Sequence, residues 1–178
     1  MFSNLRADMR RFSQARDRRN LFKEVFYLLF DQGFWAVLIY RFCRYLYCMR
    51  IPVLSLILRF FAFLLFKLVE IICGISVPPS VDVKAGFYIG HFGGIIIHYK
   101  VRIGKNCSIG TGVVVGTRGL GDEGVPVIGD NVYVGVGAKI LGAVKIGNNV
   151  KIGANAVVLT DVPDNATAVG IPAKIIQG

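Results

Sequence analysis

Histidine, tryptophan and acidic residues are scarce in this sequence. Among 178 residues there are two histidines, one tryptophan, and 11 Asp and Glu against 21 Lys and Arg, a net charge of +10. Two histidines without a matching spacing exclude a three-histidine zinc centre, so no metal is expected. The four cysteines (Cys43, Cys48, Cys73, Cys107) have neither zinc-type spacing nor a disulfide framework. Three of them lie in apolar stretches and read as small buried hydrophobes, which makes a reducing cytoplasm the simplest compartment. A secretory signal is missing too: Met1 to Asn20 is polar and Arg-rich, with no apolar core and no small-residue cleavage site behind it.

Apolar residues are plentiful. They make up 54% of the chain at a mean hydropathy of +0.56, which excludes disorder and raises contact with lipid. The charge is uneven, with 12 Lys and Arg against 5 Asp and Glu in residues 1–75 and 9 against 6 in residues 76–178. Basic residues beside apolar segments suit an anionic cytoplasmic membrane face, although a solvated basic surface would read the same. Nucleic acid is not an expected partner, because no binding motif accompanies the charge.

Aliphatic residues recur every six positions from residue 77 onward. The series runs Val77, Val83, Ile89; then Ile97, Ile103, Ile109, Val115; then Ile128, Val134, Ile140, Ile146, Ile152, Val158. The next position is often glycine (Gly90, Gly104, Gly110, Gly116, Gly129, Gly135, Gly147, Gly153), and the fourth after it is small or aliphatic. A three-sided parallel β-helix needs one such hexad per face, with the aliphatic side chain in a narrow core. An antiparallel sandwich also uses short strands between glycines, but it needs no strict six-residue period. Two extra residues near Ile95 and Ile96 break the register, and so does the stretch from Thr117 to Pro126. The second break is expected to bulge as a loop at the binding face.

Residues 1–75 read differently, as three helices near 4–31, 33–49 and 52–72, with Pro52 in the first turn of the third and Gly74 at its end. On the third, Ser55, Arg59, Lys67 and Glu70 share one arc and nearly everything else is apolar. Arg59 and Lys67 interrupt what would otherwise be a spanning run. A helix lying in the membrane interface fits, and so does a bundle that buries its apolar faces within itself and against neighbouring subunits. The expected domains are 1–75, helical and membrane-associating, and 76–178, the β-helix.

The segment Val134–Gly142, the segment Lys151–Leu159 and the tail Val162–Lys174 resemble hexapeptide-repeat acyltransferases of the serine acetyltransferase branch. The chain looks closest to the short relatives that acetylate polysaccharides, such as the colanic acid and capsule-type O-acetyltransferases. Asp31-Gln32-Gly33-Phe34 leading into Tyr40-Arg41-Phe42 resembles their pre-helix segment. This resemblance, and not the period, implies a left-handed coil, a homotrimer with active sites between subunits, and acetyl-CoA as co-substrate. It implies His91, in Gly90-His91-Phe92-Gly93-Gly94, as the general base that takes the proton of an acceptor hydroxyl. It implies CoA contacts at Gly116, Thr117, Val136, Gly137, Ala138 and Ala154, with Lys151 and Lys174 for phosphates. A lone exposed histidine often has no role, and Lys174 also reads as a solvated tail lysine. His98 reads more readily as structural than as catalytic.

Three charged groups of serine acetyltransferases are absent from the matching positions. Their aspartates match Ser76 and Gly90, and their Arg-His pair matches Gly124-Val125. A zwitterion bound without counter-charges leaves its own charges unpaired, which is costly. The acceptor expected on this ground is a saccharide or lipid-linked glycan at the inner face of the cell membrane, touched by Arg118, Asp122, Glu123 and His98. The alternatives are a serine O-acetyltransferase of cysteine biosynthesis and a β-helix scaffold without catalysis.

Overall fold

The computed structural model describes residues 2–14, 28–49, 54–119, 121 and 124–177. Among the described residues, three helices precede the coil: α1 (Phe2–Gln14), α2 (Gln32–Cys48) and α3 (Leu54–Cys73). Of the helix expected over 4–31, the described residues show Phe2–Gln14 and a helical stretch at 28–30; residues 15–27 lie outside the described residues, as does Pro52. Gly74 ends α3 at φ +62°, where its N–H donates to Glu70 O at 3.0 Å, a left-handed stop that glycine adopts without steric cost.

Among the described residues, fifteen short strands follow and stack in three sheets: β1 (Ile75–Ser76), β2 (Asp82–Val83), β3 (Tyr88–Ile89), β4 (Ile95–Ile97), β5 (Arg102–Ile103), β6 (Ser108–Ile109), β7 (Val114–Gly116), β8 (Val127–Ile128), β9 (Tyr133–Val134), β10 (Lys139–Leu141), β11 (Lys145–Ile146), β12 (Lys151–Ile152), β13 (Val157–Val158), β14 (Ala166–Val169) and β15 (Lys174–Gln177). The orders are β1-β4-β7-β10-β13, β11-β8-β5-β2 and β15-β14-β12-β9-β6-β3, so each strand from β1 to β13 pairs with one three places along the chain. All pairings are parallel except β14 with β15, where the chain turns back and covers the last edge. This is the three-sided parallel β-helix expected from the period. Every aliphatic residue of the hexad series is buried. So is every fourth-position residue of the series except Gly93 and Gly119.

The regular coil is eighteen residues, as in Ile97↔Val115 and Ile140↔Val158. The first register break sits elsewhere than expected. Ile95 and Ile96 belong to the regular strand β4 (Ile95–Ile97), and Ile95 is fully buried. The extra length lies just before it, at the corner Gly90–Gly94, where the coil below has only Gly110–Gly112. Inserted residues are expelled to a corner because an inward aliphatic cannot leave the core without losing its burial.

A second corner is built from a ladder that the period does not reveal. Asn106, Asn131, Asn149 and Asn165 all hold φ between +56° and +62°. Each of the first three donates its side-chain amide to the next, at 3.2, 3.0 and 2.9 Å. Beside it the carboxylate of Asp130 accepts the Lys105 N–H, and the carboxylate of Asp164 accepts the Asn148 N–H, each at 2.7 Å.

The helices dock on the top coil through polar groups that are fully buried. Asp8 of α1 accepts from Arg41 Nε at 2.7 Å and from the N–H groups of Gly86 and Phe87 at 2.8 Å. Arg41 of α2 also donates to Val83 O at 2.6 Å. The Tyr40 hydroxyl donates to Val81 O at 2.7 Å, and burial pushes its pKa up to about 12. Cys43, Cys73 and Cys107 are free and buried. Much of α3 leaves apolar side chains exposed, among them Leu56, Phe60, Phe61 and Ile71. Among the described residues, no helix is long and apolar enough to cross a membrane.

Two substitutions test these polar devices. Asn131→Ala removes two rungs and places a Cβ-bearing residue without a compensating side chain in the left-handed region, so it should cost about 2–3 kcal/mol in urea denaturation. Asp8→Ala strands the buried guanidinium and should cost about 3–5 kcal/mol by the same measurement.

Candidate active site

His91 stands in the enlarged corner between β3 (Tyr88–Ile89) and β4. The corner is anchored on three sides. Gly93 N–H donates to Cys73 O at 2.9 Å, Gly112 N–H donates to Gly93 O at 3.0 Å, and the Thr111 hydroxyl donates to the carbonyls of Phe92 and Gly93 at 2.8 and 2.7 Å. Gly93 and Gly94 have φ of +96° and +66°, so the bulge requires residues that tolerate that region. The result is an exposed imidazole on a pinned backbone. Among the described residues, no side chain hydrogen-bonds the His91 ring.

The start of α2 closes over this corner. A cavity of about 420 Å³ is lined by Phe30, Asp31, Gln32, Gly33, Gly90, His91 and Phe92. Asp31 is the N-cap of α2 and accepts the Phe34 N–H at 2.8 Å, the usual role of an aspartate at this position. Gly33 is pressed against the coil: a Cβ there would lie 2.3 Å from Ile89 O, so only glycine lets the helix start so near His91. The Gln32 side-chain oxygen is buried without a hydrogen-bond partner. Sequence reasoning had quoted Asp31 and Gln32 only as part of a helix start; their place beside His91 depends on how the helix docks.

The residues expected to hold CoA divide into groups. Register pairs Ile89, Ile109, Val134, Ile152 and Ala168 down one sheet, which stacks His91, Thr111, Val136 and Ala154 along one corner. Val136 and Ala154 are exposed there, and Gly137 follows at φ +73°. Lys139 reinforces this corner by donating to the carbonyls of Gly112 and Gly137 at 2.6 and 2.8 Å, a role that its sequence position did not announce. Ala138 is not on the outer face: it is fully buried, its N–H donating to Gly135 O and its carbonyl accepting from Val114 N. Lys151 and Lys174 are exposed on the same sheet as His91. Gly116 and Thr117 lie at the other end of the next sheet, beside His98.

Of the residues assigned to the acceptor, the two that are described, Arg118 and His98, do not line the cavity at His91. Arg118 donates to Leu159 O, and Asp122 and Glu123 lie outside the described residues. His98 accepts the Lys100 N–H on Nδ1 at 3.3 Å and stacks on Tyr99 at 4.4 Å, which is the structural reading. Ser76, where an aspartate was missed, is hydrogen-bonded to Glu70. The Lys67 ammonium, first, and that hydroxyl hold the Glu70 carboxyl below its usual range. Among the described residues no three His, Cys, Asp or Glu side chains come together as a metal cage.

A family model described as bacterial transferase hexapeptide (six repeats) matches residues 126–160. The chain is similar to the serine acetyltransferase of Synechococcus elongatus, 37% identical over 177 residues, which are 99% of this chain and 69% of that protein. The fold is similar to Neisseria gonorrhoeae serine acetyltransferase solved in complex with serine, at a TM-score of 0.79 and 34% identity over 96% of this chain and 67% of that one. It is also similar to a serine acetyltransferase solved in complex with CoA, at a TM-score of 0.80 and 30% identity over 97% of this chain and 68% of that one. These matches imply the left-handed sense of the coil, which the period leaves open.

They also overturn the saccharide acceptor, the lipid-linked glycan and the closeness to polysaccharide O-acetyltransferases, since the matching relatives are serine acetyltransferases. Membrane contact, expected from the basic and apolar residues 1–75, is not supported by them either. The reasoning failed at a definable step. Three empty positions were taken to mean that no carboxylate reaches the site, whereas the fold brings Asp31 to the cavity from a different element.

Proposed function

The chain belongs to the serine acetyltransferase family and is an O-acetyltransferase, and from that premise we propose that it transfers the acetyl group of acetyl-CoA to the hydroxyl of serine with His91 as general base. One observation carries the assignment of the base: the exposed, unbonded His91 imidazole opens into a cavity at the top of a corner lined by small residues. A serine hydroxyl is a poor nucleophile at neutral pH, and imidazole accepts a proton in that range. His91 takes the hydroxyl proton as the oxygen attacks the thioester carbon. The tetrahedral intermediate collapses by breaking the C–S bond, and the proton on His91 passes to the departing thiolate. The products are O-acetylserine and CoA.

CoA is placed along the corner below His91, against Val136, Gly137 and Ala154, with Lys151 and Lys174 toward its phosphates. The relative solved with CoA supports this choice of donor. The working form is proposed to be a trimer whose subunits share each site. Exposed apolar residues on the coil, including Phe92, Ile96, Val127, Tyr133 and Val136, support it, because closed symmetry is the usual way to bury such flanks. A cytoplasmic location, where acetyl-CoA is made available, belongs to the same proposal.

His91→Ala should lower serine-dependent release of free thiol from acetyl-CoA by about 10²–10⁴-fold while CoA binding, measured by calorimetry, is retained. Full activity in the variant would remove His91 from the chemistry.

A further inference from the structure

The enlarged corner has a bonding problem that the regular corners do not have. In the coils below, one N–H of each corner donates to the carbonyl at the middle of the corner above: Gly137 to Thr111 O and Asn155 to Val136 O, both at 2.8 Å. The same ladder bond reaches the His91 corner from Gly112 and lands on Gly93 O at 3.0 Å. The extra residues of this corner leave the Phe92 carbonyl, next after His91, outside the ladder. Among the described residues its one partner is the Thr111 hydroxyl at 2.8 Å, which shares its single proton with Gly93 O at 2.7 Å. Val136 and Ala154, stacked below Thr111 at the same place in their corners, have no hydroxyl. A hydroxyl therefore stands at the one level of this stack where a carbonyl has lost its backbone donor. The brace continues downward, since Lys139 Nζ donates to Gly112 O and Gly137 O at 2.6 and 2.8 Å.

The His91 imidazole makes no hydrogen bond among the described residues. Neither position where the family's aspartates were sought supplies one, because Gly90 has no side chain and Ser76 is bonded to Glu70. A ring without a partner is aimed by the backbone that carries it. We propose that Thr111 is the positioning residue for His91, its hydroxyl fixing the peptide next to the base where a side-chain partner is missing. The inference rests on His91 being the general base and names what holds it. Proton transfer needs the reacting atoms within hydrogen-bond reach, and a misplacement of about 1 Å can cost about 10²-fold in rate. Thr111 does not line the cavity, and its hydroxyl is spent on the two carbonyls. Its loss should therefore appear in the chemical step and not in the binding of serine.

Thr111→Val and Thr111→Ala remove the hydroxyl in two shapes, and Thr111→Ser keeps it. Thiol release from acetyl-CoA with L-serine would be followed in these variants, in His91→Ala and in the double variant His91→Ala/Thr111→Val, with thermal melting to show that each is folded. The expected result is a kcat lowered about ten- to a hundredfold in the valine and alanine variants, with the serine KM within about threefold of wild type. Thr111→Ser should recover kcat to within about threefold. In the double variant the valine should change the residual rate by less than about twofold, because a residue that acts through His91 has nothing to act on once the imidazole is gone. An equal loss from the valine with and without His91 would overturn the inference, since that is what a general weakening of the coil would give. Wild-type kcat in folded Thr111→Val would overturn it too, and with His91→Ala still impaired the assignment of the base would stand. Full activity in His91→Ala would remove the base and this inference with it.

Discussion

The Asp8 carboxylate is almost fully buried, and it joins three parts of the molecule at once. It belongs to α1, it holds the Arg41 guanidinium of α2, and it receives the backbone N–H groups of Gly86 and Phe87 from the top coil. Arg41 completes the arrangement by donating to the carbonyls of Val83 and Lys84. Buried ion pairs are weak evidence for net stability, and their best-attested use is to fix one arrangement among several. That is the role the geometry gives this one. The β-helix needs no helices to satisfy its own hexads, but the position of α2 relative to the coil depends on these bonds and on the Tyr40 hydroxyl.

The active centre follows from that docking. A regular corner of the coil has three residues, as at Gly110–Gly112. The corner at His91 has five, held by Thr111, Gly112 and Cys73, and becomes a cavity only because the start of α2 lies over it. Gly33 allows the approach, and Asp31 and Gln32 arrive with it. The same imidazole on a bare coil would face open solvent.

Legibility in the sequence tracked whether the signal was local. The six-residue period announced thirteen inward aliphatics, all of which are buried, because each hexad must bury one side chain whatever the rest of the chain does. His91 was legible only through the resemblance of Gly90-His91-Phe92-Gly93-Gly94 to a family motif, not through the period. The asparagine ladder was missed because its rungs lie sixteen or more residues apart, although Asn106, Asn131 and Asn149 recur at the same place in their hexads. Asp31, Gln32 and Asp8 were missed as site and clamp because long-range docking, with contacts across as many as 79 residues, gives them their roles. The acceptor was misread for a related reason. An aligned position that lacks a carboxylate says nothing about a carboxylate arriving from a helix.

The central claim is that the Asp8–Arg41 clamp shapes the acceptor cavity, and Arg41→Lys tests it most directly. Lysine keeps the charge but cannot reproduce the fork that joins Asp8 to the carbonyls of Val83 and Lys84. Steady-state kinetics with serine, with CoA affinity measured in parallel, should show an acceptor KM raised by about an order of magnitude and CoA binding unchanged. An unchanged acceptor KM in a variant that has lost stability would contradict the account, since the helices would then steady the fold without shaping its site.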